Sequence, residues 1–452
     1  MPTRLVSNGE FVAPRGQGAE QLRVERAVLD LAERLSPGAG MTRRRFLGSA
    51  CGMAAAFMAM NSVYGELFSV DPAEAAEPDV AAQRIMSLRG QFVFDVQTHF
   101  VRDEYSRGAL LGLRRAARRW NPVLAGEEVD FGKLHFENYI KEIFLESDTS
   151  VALLSSAPAD REEDWFLRNE EIDRARSIVN GLAGSRRLLS HAVFAPGMPG
   201  WMEALERAIA LRPDSWKGYT VGDPLSDSRW PWRMDDEELV YPAYQKMLDA
   251  GIGTVCVHKG LLPPDYEESF PNWRYGGVDD VARACRDWPD LKFVIYHSAI
   301  RALGEPPERE LSRLEETGEI PWVSDLARIP GEHGVENLYA ELGTVFGAAA
   351  VSHPRYCAGI LGTLIKGFGP ERVLWGTDSV WYGSPQWQIE AFRRIEIPPD
   401  LRERMGFAPL GPADGRVKNL ILGGNAERLY GLEPSMKDFA RDGISRLRDR
   451  PA

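Results

Sequence analysis

Eight short apolar runs recur between residues 92 and 376, each followed by a loop and a stretch of helical periodicity. The runs are Phe92–Val96, Val151–Leu154, Leu189–Phe194, Trp216–Val221, Thr254–His258, Lys292–Tyr296, Leu338–Leu342 and Val373–Gly376. They are rich in Val, Ile, Leu and aromatic side chains and read as strands covered on both faces. Apolar residues fall at helical spacing over 164–181, 201–212, 238–250, 278–286 and 356–368. Alternation of this kind over 90–432 predicts a (β/α)8 barrel, a TIM barrel with long loops at the C-terminal ends of its strands. A doubly wound open sheet is the main structural alternative.

Ahead of the barrel, Thr42-Arg43-Arg44-Arg45-Phe46-Leu47 precedes an apolar, small-residue run from Gly48 to Met60. An Ala-rich segment with a cleavage-like site, Asp71 to Glu77, follows it. A basic start, a short apolar centre and a small-residue exit predict an export signal over 41–76, of the twin-arginine type. The alternative is a buried helix with a basic start. Residues 1–40 form an N-terminal extension, unless Met41 is the true start, and 433–452 a polar tail. The expectation is a periplasmic or extracellular protein delivered by the twin-arginine machinery.

Composition narrows the function. The 452 residues are 44% hydrophobic with a net charge of −12, which argues against a nucleic-acid partner. Four cysteines without a CxxC pair exclude a disulfide scaffold and a cysteine-type zinc module. No apolar run reaches the ~18 residues needed to span a bilayer. The expected partner is a small-molecule substrate.

Four of the runs end in a side chain suited to a metal. The first continues as Asp95-Val96-Gln97-Thr98-His99, and strict alternation places Asp95, Gln97 and His99 on one side. The fifth ends in His258, the sixth is followed by His297, and the last leads through Gly376-Thr377 to Asp378. Each alone is ordinary, as a core histidine or a capping aspartate. Together they put three of only seven histidines at equivalent strand ends, which in a barrel surround one mouth. Imidazoles and a carboxylate converging there suit Zn²⁺ or a similar divalent ion. Cys256 shares the face of His258 and reads as a packed core thiol.

At these residues the chain resembles the amidohydrolase superfamily, in particular the amidohydrolase-2 branch that includes aminocarboxymuconate-semialdehyde decarboxylase-like enzymes. The resemblance lies in Asp95-x-Gln97-x-His99, Lys217-Gly218-Tyr219-Thr220, Val257-His258-Lys259-Gly260, Phe368 to Asp378 and Gly423 to Leu432. It implies that His99, His258 and Asp378 hold one divalent metal, most simply zinc. It further implies that His297 is the acid/base and that Asp378 both ligates and shuttles a proton. Two departures stand out. Gln97 replaces the histidine of the family's Asp-x-His-x-His. It either ligates weakly through oxygen, or hydrogen-bonds a metal water, or marks a barrel without metal. Thr220 stands where the fourth strand often carries the lysine that bridges two metals, so one metal at most is expected.

Glu341, near the end of the seventh run, is a candidate extra acid or a packing residue. Aromatic and arginine residues in the mouth loops, among them Trp273, Arg274 and Trp381, suit a planar or carboxylate-bearing substrate, or fill an irregular lid. Arg114, Arg115, Arg118 and Arg119 read as a solvated helical face. The expected reaction is hydrolysis of an amide, ester or lactone of a small organic acid by activated water. Non-oxidative decarboxylation of an aromatic or unsaturated carboxylate is the alternative, and a metal-free binding protein on a barrel scaffold is a third. Dimers are common among similar proteins, so a homodimer is a further expectation.

Overall fold

The computed structural model describes residues 18–106, 108, 111, 130–263, 266–301, 307–432, 439 and 442–448; the arginines at 114–119 lie outside them. Eight strands form one parallel sheet in chain order: β1 Phe94–Thr98, β2 Val151–Leu154, β3 Leu188–Val193, β4 Ser215–Tyr219, β5 Thr254–His258, β6 Lys292–Tyr296, β7 Leu338–Glu341 and β8 Val373–Leu374. The first and last meet where Val96 N donates to Trp375 O at 2.9 Å, Asp378 N to Gln97 O at 2.9 Å and His99 N to Ser379 O at 2.6 Å. The architecture is the expected (β/α)8 barrel rather than an open sheet.

Side-chain alternation builds its two layers. Phe94, Val96, Val151, Leu153, Leu189, Cys256, Val294, Tyr296 and Leu374 fill the barrel interior. The intervening Val255, Val257, Phe293, Ile295, Leu338 and Ala340 pack outward among the helices. β1 breaks the alternation. Its register against β2 shifts between Asp95 and Thr98, a bulge that re-aims the residues after it. Asp95 accepts the Gln97 N–H on Oδ1 at 3.1 Å. Its carboxylate accepts from Thr377 N at 3.0 Å and from the Thr377 hydroxyl, and so pins β1 to β8.

The segment that reads as an export signal is helical and packed onto the barrel. Five helices precede β1: α1 Ala19–Leu35, α2 Arg43–Leu47, α3 Ala50–Tyr64, α4 Pro72–Ala76 and α5 Pro78–Leu88. Arg43, Arg44 and Arg45 are exposed, whereas Cys51, Ala54, Ala55, Phe57, Ala59 and Met60 of α3 are buried. The small side chains that resemble a signal's apolar centre also let helices approach closely, and Phe57, Met60, Leu67 and Phe68 join the barrel's main core. No helix among the described residues is long and apolar enough to cross a membrane.

Backbone and polar contacts order this unit and fasten it to the segment 386–395 behind β8. Asn61 Nδ2 donates to Phe68 O at 2.7 Å, Phe68 pairs antiparallel with Ile395, and Arg84 meets Glu390 at 2.6 Å. Arg394, almost wholly buried, pairs with Glu74 and also lies 3.5 Å from Glu390. Glu74→Ala leaves that guanidinium with one carboxylate fewer, so the unfolding free energy should fall by about 3 kcal/mol. Urea denaturation measures it, and a change below about 0.5 kcal/mol, the range of ordinary surface substitutions, would mean the pair does not secure the unit.

Candidate active site

The strand ends deliver their side chains to one buried point. Gln97, His99, His258, His297, Glu341 and Asp378 have no solvent exposure. His99 Nε2 lies 2.9 Å from Asp378 Oδ1. Gln97 Nε2 donates to the same oxygen at 3.1 Å and lies 3.4 Å from both His99 Nε2 and His297 Nε2. The His258 and His297 rings meet edge to face at 4.7 Å.

Local backbone explains the convergence. After β6, His297, Ser298 and Ala299 take φ of 59°, 48° and 54°, and Asp378 after β8 takes 60°. Left-handed backbone is costly for residues with a Cβ and persists where surroundings over-determine it. Here Glu341 does so, accepting His297 N at 2.9 Å on Oε2 while its carbonyl takes the Ser298 hydroxyl at 2.8 Å. Two glycines make the room. A Cβ on Gly376 would stand 1.8 Å from Glu341 Oε1, and one on Gly343 would stand 2.5 Å from His297 Nδ1.

Burial sets the charge states. It alone would raise the Asp378 carboxyl, but the His99 contact, nearby His297 and the Thr344 hydroxyl outweigh it and bring the pKa to about 2. Asp378 is therefore a carboxylate. Burial, followed by the neighbouring His258, pushes His297 well below its usual 6.5, against the pull of Asp378. His297 is thus a neutral imidazole able to accept a proton. Burial also raises Glu341 to about 8, in spite of the His297 N–H it accepts.

The donor chemistry suits one divalent cation. His99 Nδ1 donates to Ser155 O at 3.1 Å, the kind of outer contact that orients a ligating histidine. Its Nε2 then faces Asp378 Oδ1 at 2.9 Å, a meeting of two acceptors that a proton or a cation reconciles. Gln97 Oε1 is buried without a hydrogen-bond partner among the described residues. As they stand, no three His, Cys, Asp or Glu side chains among the described residues are gathered closely enough to hold an ion. Toward His99 and Asp378 the Gln97 amide turns its nitrogen.

The sequence profile of the amidohydrolase family matches residues 94–432. The chain belongs to this family. No curated protein matches it. Among solved structures it is similar to 5-carboxyvanillate decarboxylase from Sphingomonas paucimobilis, with 16% identity, TM-score 0.43, and 76% of this chain and 100% of that chain covered. It is also similar to a putative 2-pyrone-4,6-dicarboxylic acid hydrolase from Pseudomonas putida, with 16% identity, TM-score 0.41, and 76% and 98% covered. A third is a dihydroxybenzoic acid decarboxylase from Polaromonas sp. with bound manganese and 2-nitroresorcinol, with 16% identity, TM-score 0.43, and 76% and 97% covered.

The remaining candidates divide. Trp381 is buried and stacks on the His99 ring at 5.4 Å. Trp273 and Arg274 lie elsewhere, in an outer cleft of about 760 Å³ shared with Trp322, Arg328 and His333. Thr220 bonds to Tyr275 O at 2.7 Å. Cys256 is a buried core thiol, and burial raises it to about 11. One neighbour of the site was missed by sequence reasoning: Thr344 donates to Asp378 from the helix after β7, and its distance along the chain gave no signal.

Proposed function

We propose that this family member is a hydrolase that cleaves an amide, ester or lactone of a small organic acid. The observation that carries the reading is the meeting of a neutral imidazole, His297, and a carboxylate, Asp378, on the same Gln97 amide nitrogen, at 3.4 and 3.1 Å. His297 Nε2 takes the proton of the attacking water and returns it to the leaving group, a role open to it because the ring is unprotonated at neutral pH. Asp378 balances the imidazolium that forms. Gln97 holds both in place, and Trp381 with Phe166 screens the pair from bulk water, their rings 5.5 Å apart.

His99, His258 and Asp378 are the residues that would hold a divalent ion, zinc by donor type, with Gln97 offering an amide oxygen. Such an ion would supply Lewis-acid polarisation of the scissile carbonyl. A second reading is favoured by the complete burial of the site. A substrate carboxylate stripped of water there is predisposed to leave as CO2, its place on carbon taken by a proton that His297 or Asp378 first accepts from the substrate or a water and then relays. Turnover of a panel of small lactones, esters, amides and aromatic carboxylates in ¹⁸O-water separates the two. Hydrolysis places ¹⁸O in the acid product. Release of CO2 without incorporated label would reject it in favour of decarboxylation.

A further inference from the structure

We infer that the Gln97 carboxamide is a built-in stand-in for a cation. Its Nε2 holds His99, His297 and Asp378 together in the ion-free protein, and an entering ion has to displace it. The inference deepens the proposed function and rests on those three residues being the working set.

Gln97 has no solvent exposure. Its Nε2 is 3.1 Å from Asp378 Oδ1 and 3.4 Å from Nε2 of both His99 and His297. The end of β1, the turn after β6 and the segment after β8 thus each bring a side chain to one amide nitrogen. That nitrogen carries two hydrogens and accepts nothing. A gathering of ring nitrogens and a carboxylate is what a metal ion ordinarily draws together. Here a polarised NH2 group lies within reach of all of them.

The orientation of the amide is set from both ends. With its nitrogen toward Asp378, its oxygen lies against Gly343, where an added Cβ would stand 2.8 Å from Oε1. Gly343 opens the helix Gly343–Ser352, and the free N–H groups of a helix start carry partial positive charge. Turned over, the amide would set its oxygen against a carboxylate and its NH2 against that positive end. Each ring nitrogen of a histidine, the family's residue at this position, carries at most one hydrogen. An imidazole at 97 therefore cannot bridge two acceptors from one atom, whereas the carboxamide can.

The test compares the full-length wild type with Gln97→Leu, both freed of metal by a chelator, with zinc as the probe. Thermal unfolding confirms the fold, calorimetry gives the zinc Kd, and spectra of ¹⁵N-glutamine-labelled protein follow the amide. In ion-free wild type the Gln97 NH2 signal, identified by its absence from the variant, should be protected from solvent exchange and should move when zinc is added. Gln97→Leu has no amide to displace and should bind zinc at least about 3-fold tighter, within the worth of one net hydrogen bond. An amide oxygen acting chiefly as a ligand predicts weaker binding instead. A folded Gln97→Leu protein that binds zinc no tighter than wild type would overturn the inference. If that variant does not fold, Gln97→His identifies the signal, and a wild-type NH2 signal unmoved by saturating zinc would overturn it. Failure of the proposed function reads out separately: full turnover by Asp378→Asn would reject that reading and leave the wild-type spectra as they are.

Discussion

Asp378→Asn is expected to lower kcat/KM by about 10³-fold for whichever substrate the wild type turns over, within the range general acid–base and electrostatic groups contribute. The substitution keeps the shape of the side chain and removes its charge. Asparagine tolerates left-handed backbone better than most residues, so the φ of 60° at this position survives. What changes is the electrostatics. His99 loses the anion 2.9 Å from its Nε2, and His297 loses the charge that favours its protonated form. Gln97 and the Thr344 hydroxyl now face an amide with a single acceptor oxygen. The misplaced donor costs about 1–3 kcal/mol, offset in part because a buried charge is gone. The fold should therefore persist while the chemistry fails. Steady-state kinetics beside thermal unfolding measures both, and activity within 10-fold of wild type would remove Asp378 from the reaction.

The barrel was legible because its strands are short apolar runs covered on both faces. Val151–Leu154, Thr254–His258 and Lys292–Tyr296 have the predicted bounds. The equivalent strand ends of His99, His258, His297 and Asp378 were legible for the same reason. Irregular backbone was not. The β1 bulge shifts the register after Asp95, and three consecutive left-handed residues set the aim of His297. Neither leaves a periodic trace in a sequence. The run 48–60 has the composition of an export signal's centre, which is also that of a helix packed closely into a core, and local pattern does not separate the two. Trp273 and Arg274 sit on a loop whose course is set by Tyr275 carbonyl contacts with Thr220 and Lys259, a tertiary fact that aromatic content does not reveal.

The stability of the fold should peak between about pH 6 and 6.5 and fall steeply in acid. His191, His258 and His297 are wholly buried. Burial first, then the Lys217 charge for His191 and His258 or the adjacent His258 for His297, pushes each well below 6.5. The unfolded chain therefore binds three protons that the folded chain refuses. This contribution is complete above the unfolded pKa and is lost as pH falls. Glu341, raised to about 8, and Asp95, raised to about 7, act in the opposite direction, both through burial. They stay protonated in the folded state at pH values where the unfolded chain has released them, so stability declines as pH climbs from 6.5 to 8. Between pH 4.5 and 6.5 the two sets oppose each other, three histidines against two carboxyls. Below 4.5 the carboxyl contribution vanishes and the histidines act unopposed, so the slope steepens. Asp378, held to about 2, steepens it further. Urea midpoints from pH 3.5 to 8.5, taken with a chelator present, trace this curve. A stability that rises as pH falls from 6 to 4.5 would show that the histidines carry protons in the folded protein, leaving the two raised carboxyls alone to set the slope, and His297 would then have no free nitrogen with which to act as a base.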